Sequence, residues 1–261
     1  MKLEGMKGIM SRRIFAGVLV AGLVWVWGCA WAVQQGPDDG YAFSIRCANY
    51  ETKKIAITMD DCYDLEMVKA AVELCNKYGI VMTFFPCGQQ IVPEDHDLWQ
   101  SAVDAGCEIG THSYTHKMLY SVDVRTFERL ICKAQEALDA ALGYHYTIRT
   151  FRPPFGKLNE DGGSPARVVK CLKKLGYQHA IMWNVSQTDP ALAVKQVKDG
   201  CIMLYHARSK DVRCLDTIIP QILEMGYEPV TVCDLLGFDP PEMGGEPYVY
   251  DPSTFDLKNY Q

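Results

Sequence analysis

The sequence has no Cys-x-x-Cys pair, although it contains 11 cysteines. Their positions follow no regular metal-ligand spacing, so a cysteine-based metal centre is not predicted. Ten of them remain once the amino-terminal 32 residues are set aside. Two interpretations stay open for these ten. They are buried free thiols that act as small hydrophobic residues, or they form one to three disulfides in an oxidising compartment.

The chain also lacks a long apolar run, apart from Ile14–Trp27 near its amino terminus. This run is shorter than the roughly 20 apolar residues that a spanning helix needs. Basic residues precede it and Ala30-Trp31-Ala32 follows, which is the pattern of a cleaved bacterial export signal over residues 1–32. An uncleaved signal anchor and a lipoprotein modified at Cys29 remain alternatives. The predicted location is therefore extracellular or in the cell envelope.

Positive charge is scarce in the remainder of the chain. Residues 33–261 hold 22 Lys and Arg against 31 Asp and Glu, a formal net charge of −9. Such an acidic surface argues against nucleic acid as a partner. A membrane is a predicted partner only if the amino-terminal segment is not cleaved.

The length and the pattern of the chain predict one α/β domain. Residues 33–52 are polar and form a linker or an amino-terminal arm, residues 53–237 form the catalytic domain, and residues 238–261 form an irregular tail. Within the domain, short apolar runs alternate with amphipathic segments of helical period. The seven runs are residues 55–59, 80–85, 108–111, 148–152, 179–183, 201–206 and 229–232. The clearest helices are predicted at Leu65–Tyr78 and Thr126–Leu142, each followed by glycine.

Unusual polar residues follow several of these runs. Asp60 and Asp61 come directly after the first strand, where one carboxylate can bind a cation while its neighbour handles a proton. A turn or a helix cap is the simpler explanation of an Asp-Asp pair. Because reactive residues gather at the carboxyl ends of strands in α/β barrels, the position favours function.

His112 and His116 lie four residues apart, just after the third run. On a helical turn this spacing places both imidazoles on one face, which suits a single divalent cation. A nearby carboxylate would complete a two-His, one-carboxylate site with open positions for a reaction. Ordinary surface histidines are the alternative.

Two further residues stand at strand ends. His206 closes the sixth run, where a hydrogen-bonded core histidine is the simpler interpretation. Arg152 precedes Pro153-Pro154 and can hold a carboxylate in its ionised form, or it forms a structural salt bridge.

Taken in order, five short motifs over residues 53–236 resemble those of the polysaccharide deacetylases with a NodB homology domain, carbohydrate esterase family 4. The motifs are Thr58-Met59-Asp60-Asp61-Cys62, His112-Ser113-Tyr114-Thr115-His116, Arg152-Pro153-Pro154-Phe155, Asp189-Pro190 and Leu204-Tyr205-His206. The fold that the resemblance implies is a distorted (β/α)7 barrel.

The resemblance also implies roles. Asp60 is the catalytic base, supported by Arg152, and His206 is the general acid, tuned by Asp189. Asp61, His112 and His116 bind one divalent metal, Zn²⁺ in the first place, with Co²⁺, Ni²⁺ or Mn²⁺ as alternatives. The expected substrate contacts come from residues around these groups, namely Phe155, Leu204, Cys62 and Tyr205.

Three residues depart from the family pattern: Cys62 replaces glycine, Phe155 replaces tyrosine and Pro190 replaces tryptophan. They leave the metal ligands and proton-transfer groups in place but change the walls of the groove. The predicted activity is removal of N-acetyl groups from a glycan such as peptidoglycan or a chitin-like polymer. An O-acetyl esterase and a catalytically weak or inactive glycan-binding homologue are the alternatives. The sequence predicts neither the sugar nor the oligomeric state.

Overall fold

The computed structural model describes residues 43–48 and 51–260. The predicted export signal lies outside these residues. Among the helices of the described part, none is both long enough and apolar enough to cross a bilayer.

The described chain alternates strands with helices. The strands are β1 (Ser44–Ile45), β2 (Lys54–Asp61), β3 (Thr83–Pro86), β4 (Glu108–Ile109), β5 (Ala180–Ile181), β6 (Ile202–His206) and β7 (Glu228–Val230). The α-helices are α1 (Leu65–Tyr78), α2 (His96–Asp104), α3 (Val124–Leu142), α4 (Ala166–Lys174), α5 (Pro190–Gln196), α6 (Ser209–Glu224) and α7 (Val232–Leu236).

All strand pairs are parallel. The main sheet has the order β4-β3-β2-β6, with β7 also paired to β2, while β1 pairs with β5. Single parallel bridges join the two sheets, between Thr111 and Phe151, Phe151 and Ala180, and Val185 and Met203. The expected α/β fold with a parallel sheet is therefore confirmed. The two sheets are thus connected by single bridges rather than by continuous ladders.

Strand β2 runs through the middle of the core, and six of its eight residues are buried. Ile55, Ile57 and Met59 pack in the large cluster beneath the helices. Ala56 packs in a smaller cluster with Phe85. Because side chains alternate along a strand, Thr58 and Asp60 share the face of Ala56. This alternation places the Asp60 side chain inside the barrel, at the carboxyl end of β2.

The two helices predicted most clearly are confirmed. Helix α1 has the predicted bounds, begins at the N-cap Asp64 and ends at Gly79, which adopts φ 63°. Helix α3 begins at Val124, two residues earlier than predicted, because the Asp123 side chain accepts a hydrogen bond from the Thr126 N–H and caps it. Gly143 ends α3 at φ 79°.

The run at residues 148–152 forms a bridge at Phe151 rather than a strand. The segment before it is bonded elsewhere. The Thr147 N–H donates to the Glu242 carbonyl, and the Ile148 N–H donates to the Gln135 side chain. Two prolines follow Arg152 and remove the donors that a ladder needs.

The carboxyl-terminal tail packs on α3 and α4. The Tyr248 N–H donates to buried Asp139, the Tyr260 hydroxyl donates to buried Glu128, and Phe255 stacks on Tyr260 at 5.5 Å between ring centroids. The tail therefore covers this helical face.

Candidate active site

The polar residues that follow β2 and β6 meet at one edge of the sheet. Asp60 and His206 are register partners across these parallel strands. Asp60 is buried at 3% exposure, whereas His206 is half-buried. A carboxylate and an imidazole thus stand side by side where the strands end.

Asp61, His112 and His116 form a compact cluster at the same edge. Their ligand atoms all lie within 4.8 Å of one another. The Asp61 Oδ1 atom lies 3.5 Å from Nε2 of His112 and 3.4 Å from Nε2 of His116. This oxygen is buried and accepts no hydrogen bond from the described residues. A buried carboxylate oxygen without a donor needs another positive partner, and a cation supplies one.

The donor set fits a divalent metal. Two imidazole nitrogens and one carboxylate oxygen suit Zn²⁺ and its first-row neighbours. Bonds of about 2.0–2.1 Å in a tetrahedral site separate the ligand atoms by roughly 3.3–3.4 Å. The observed separations from the Asp61 oxygen are close to this value.

The ring of His112 is oriented by its second nitrogen. Nδ1 lies 2.8 Å from the Arg152 carbonyl, so Nδ1 carries the proton and Nε2 presents its lone pair to the cluster. Burial lowers the pKa of His112, and the carboxylates of Asp60 and Asp61 oppose this shift. The neutral ring is the form that binds metals.

The expectation that His112 and His116 lie on a helical turn is wrong. Residues 112–117 form an irregular loop, in which Ser113 has φ 68°. Backbone bonds pin this loop to the segment after β3. Gly88 donates to the Ser113 carbonyl, and Gln89 donates to the Tyr114 carbonyl. The two imidazole centroids nevertheless lie 5.1 Å apart.

Arg152 is fully buried, and each nitrogen of its guanidinium donates at least one hydrogen bond. Its Nη1 atom donates to Asp60 Oδ1 at 2.6 Å and to Thr58 Oγ1 at 2.7 Å. Its other nitrogens donate to the carbonyls of Ile181 and Met182. The guanidinium also lies over the Phe85 ring, 4.3 Å from its centroid. Arg152 therefore fixes the Asp60 carboxylate and leaves Oδ2 available.

Backbone strain is concentrated at this site. In the described part of the chain, four residues other than glycine have positive φ: Asp61, Cys62, Ser113 and Phe155. Each adopts the left-handed region at a cost of about 1–2 kcal/mol. Three of them belong to the segments that carry the cluster, and the fourth, Phe155, contacts His116. The surrounding contacts hold these segments in strained conformations.

Phe155 forms a wall of the site. It is 50% exposed, and its ring meets His116 edge-on at 4.3 Å between centroids. Gly156 follows at φ 65°, and a Cβ there would lie 2.7 Å from the Trp183 ring. The turn can therefore sit directly on Trp183. Tyr63, 46% exposed, is a second aromatic residue beside the Asp-Asp pair, and the sequence had given it no role.

Two predicted substrate contacts are contradicted by burial. Cys62 and Tyr205 are both fully buried. The Cys62 thiol points to the Met59 carbonyl, and Tyr205 lies on the face of β6 opposite His206. Leu204 lies on the His206 face and is 6% exposed, so its contact with an acetyl methyl stays a prediction.

The buried thiols near the cluster remain protonated. Burial raises the pKa of Cys62 well above its ordinary value, and the carboxylate of Asp60 adds to the shift. Burial raises the pKa of Cys87 to about 12. Because thiolates are the metal-binding form, these shifts favour the imidazoles and the carboxylate as the candidate ligand set.

Asp189 does not lie where the motif had suggested. Its exposed carboxylate caps α5 by accepting the Leu192 N–H at 3.0 Å, and Pro190 takes the first helical position. Within the described residues, no hydrogen bond or ion pair joins Asp189 to His206. The acid that contacts the His206 segment is Asp211, whose Oδ1 accepts the His206 N–H at 3.2 Å. Asp211 is buried in the first turn of α6, and the sequence had not singled it out.

Comparison with known proteins points to one family. The model of the polysaccharide deacetylase family matches residues 48–180. Over 204 residues the chain is 30% identical to a peptidoglycan-N-acetylglucosamine deacetylase of Bacillus cereus, covering 71% of this chain and 89% of that protein.

A similar deacetylase of Listeria monocytogenes is 27% identical over 195 residues, 71% of this chain and 39% of its own length. This chain thus spans about two fifths of that relative. Among solved structures, a pseudoenzyme of carbohydrate esterase family 4 from Bacillus anthracis aligns with a TM-score of 0.64 at 26% identity, covering 74% of this chain and 68% of that one. The chain belongs to the polysaccharide deacetylase family.

Proposed function

We propose that the protein is a metal-dependent hydrolase that removes N-acetyl groups from the glycan strands of peptidoglycan and releases acetate. The family assignment supports deacetylation, and the names of the relatives favour peptidoglycan over chitin-like polymers. The observation that carries the proposal is the position of the buried Arg152–Asp60 pair beside the cluster of Asp61, His112 and His116.

Asp61, His112 and His116 would hold one divalent cation, Zn²⁺ in the first place, with Co²⁺, Ni²⁺ or Mn²⁺ as alternatives. When bound, such an ion acts as a Lewis acid and makes a water molecule a better nucleophile near neutral pH. The protein supplies the orientation of the ligands, above all through the bond from His112 Nδ1 to the Arg152 carbonyl.

Asp60 is the proposed general base. Its Oδ1 is occupied by Arg152, and its Oδ2 lies 3.9 Å from Nε2 of the ligand His112. The free oxygen therefore faces the place where a hydrolytic water must stand. The guanidinium holds the carboxylate in one orientation, so that its free oxygen can accept the proton of the water.

His206 is the proposed general acid. It stands beside Asp60 on the neighbouring strand, so the two groups can flank a bound amide. A protonated imidazole would donate to the amine as the carbon–nitrogen bond breaks. The Phe155 backbone N–H, held in the turn beside His116, is proposed to bind the oxyanion.

The exposed rings of Phe155 and Tyr63 offer apolar faces for a sugar ring on either side of the cluster. Water could hydrolyse an ester of the same acetyl group with the same base and acid, so an O-acetyl esterase remains the second candidate. The catalytic domain is proposed to span residues 53–237, with export to the cell envelope or beyond directed by residues 1–32.

The test is acetate release from purified peptidoglycan, chitooligosaccharides and acetylxylan, before and after removal of metal with a chelator. Asp60→Asn should keep the metal and lose a factor of about 10²–10⁴ in rate, because the amide cannot accept a proton. Asp216→Asn, an exposed carboxylate paired with Lys77, is the matched control.

Three outcomes are distinguished. Metal-dependent release from peptidoglycan that Asp60→Asn abolishes supports the proposal. Release from acetylxylan alone supports the esterase. A folded, metal-loaded protein that binds glycan but releases no acetate from any substrate overturns the proposed activity in favour of a binding protein.

A further inference from the structure

The arm that precedes the barrel brings two cysteines face to face. Cys47 lies just after β1, and Cys201 lies just before β6. The two residues form an isolated antiparallel bridge. Cys201 is fully buried, and Cys47 is partly covered.

The hydrogen bonds around this bridge define its type. The Ala48 N–H donates to the Gly200 carbonyl at 2.9 Å, so the bond joins the residues that flank the cysteines. Cys47 and Cys201 therefore occupy a non-hydrogen-bonded position, where Cα atoms lie about 4.5 Å apart and side chains project to the same side. A disulfide accepts Cα separations of roughly 4.4–6.8 Å. A backbone bridge of this type therefore has a Cα separation within the range that a disulfide accepts.

The barrel allows the amino-terminal arm to approach closely at Gly200. Gly200 adopts φ 70°, and a Cβ at this position would lie 2.4 Å from the Ala48 carbonyl oxygen. Any other residue at position 200 would push the arm away from the barrel. The approach of the two cysteines therefore depends on a glycine at this position.

We propose that Cys47 and Cys201 form a disulfide that fastens the amino-terminal arm to the barrel. The two thiols lose two protons and two electrons to an incoming disulfide, which is reduced to two thiols, so a small disulfide or a thiol–disulfide oxidoreductase is the oxidant. The bond closes a loop that contains most of the catalytic domain.

The bond would also hold one wall of the cleft next to the active site. Arg46, adjacent to Cys47, donates to the Trp183 carbonyl at 3.4 Å. Arg46, Trp183 and Phe155 line one cleft. Fastening Cys47 keeps Arg46 against Trp183, so the arm contributes a fixed side chain to that cleft.

The experiment uses the full chain, folded and equilibrated with oxidised glutathione. Non-reducing digestion and mass spectrometry should find the peptide containing Cys47 linked to the one containing Cys201. Cys47→Ser and Cys201→Ser should each lower the melting temperature by roughly 5–10 °C under oxidising conditions, and the double variant by no more than either. In the presence of a reductant, Cys47→Ser should match the wild type.

Cys214→Ser is the control, since it removes another buried thiol without touching the arm. Gly200→Ala should prevent the cross-link while both cysteines remain. Recovery of both thiols as free, alkylated cysteines, or of either one linked to a third cysteine, overturns the proposal. The cross-linked peptide and the melting temperature are both measured without substrate. They are therefore independent of whether the protein releases acetate.

Discussion

The buried ion pair of Arg152 and Asp60 allows a quantitative prediction about stability. Arg152→Met keeps an unbranched apolar stem but removes every donor. Asp60, 3% exposed, would then carry a charge without its partner, and Thr58 and two carbonyls would lose their donor.

The expected loss of stability in Arg152→Met follows from the burial of the ion pair. Breaking a buried charge pair by removing one partner costs about 3–5 kcal/mol, because the remaining charge is desolvated. The lost bonds to the two carbonyls add to this cost unless water enters. We expect a decrease of about 4 kcal/mol in the free energy of unfolding, equivalent to roughly 10–15 °C in melting temperature for a domain of this size.

The assay is urea unfolding followed by circular dichroism, for Arg152→Met, Asp60→Asn and the double variant. Because the double variant removes both charges, it should be more stable than the sum of the single effects predicts, by about 2 kcal/mol or more. A loss below about 1 kcal/mol for Arg152→Met, or strict additivity, would refute the reasoning. The pair would then be solvated and could not hold Asp60 in place.

Four further predictions concern separate residues. His112→Ala should lose stoichiometric metal in elemental analysis, since two ligands are too few to hold the ion, whereas His96→Gln should retain it. Cys62→Gly should stay within about 1 kcal/mol of the wild type, because relief of its positive φ offsets the loss of a buried thiol, and its preference across a glycan panel should not change. Asp211→Ala should lower the free energy of unfolding by about 1–2 kcal/mol, while Asp211→Asn, which keeps the acceptor for the His206 N–H, should cost less than half of that in the same denaturation assay. Protein secreted by a bacterial host should begin at Val33 in amino-terminal sequencing, and an intact Met1 in the membrane fraction would establish the anchor instead.

The sequence predicts those features of the fold and the site that depend on a single local rule. Apolar runs bounded by polar residues predict strands, and Asp60 and His206 end two of them. Parallel strands bring such ends together, so the meeting of these residues followed from the pattern. The bounds of α1 followed from its apolar period and Gly79.

Three features that differ from the predictions nevertheless obey local rules of strands and helix ends. Side chains alternate along β6, so a functional His206 places Tyr205 on the opposite face, against the helices. Asp189-Pro190 has the pattern of a helix start, with a capping acid before proline at the first position. Asp211 lies in the first turn of α6, where an acidic side chain commonly reaches back to a free N–H.

Other features depend on contacts between distant segments. The loop of His112 and His116 is irregular because it bonds to the residues after β3, and spacing alone cannot distinguish it from a helical turn. The docking of β1 on β5 joins segments more than 130 residues apart. The burial of Cys62 likewise follows from the path of the chain around it.

Two of the strained positions, Asp61 and Cys62, differ in whether a stabilising substitution is compatible with the proposed chemistry. Glycine at Cys62 would relieve strain that offsets the loss of the buried thiol, so this position is open to drift. Glycine at Asp61 would relieve similar strain but would remove a proposed ligand. Selection for stability and selection for chemistry therefore oppose each other at Asp61 and agree at Cys62. Sequence libraries screened for heat resistance alone should accept glycine at both positions, whereas libraries screened for acetate release should accept it only at position 62.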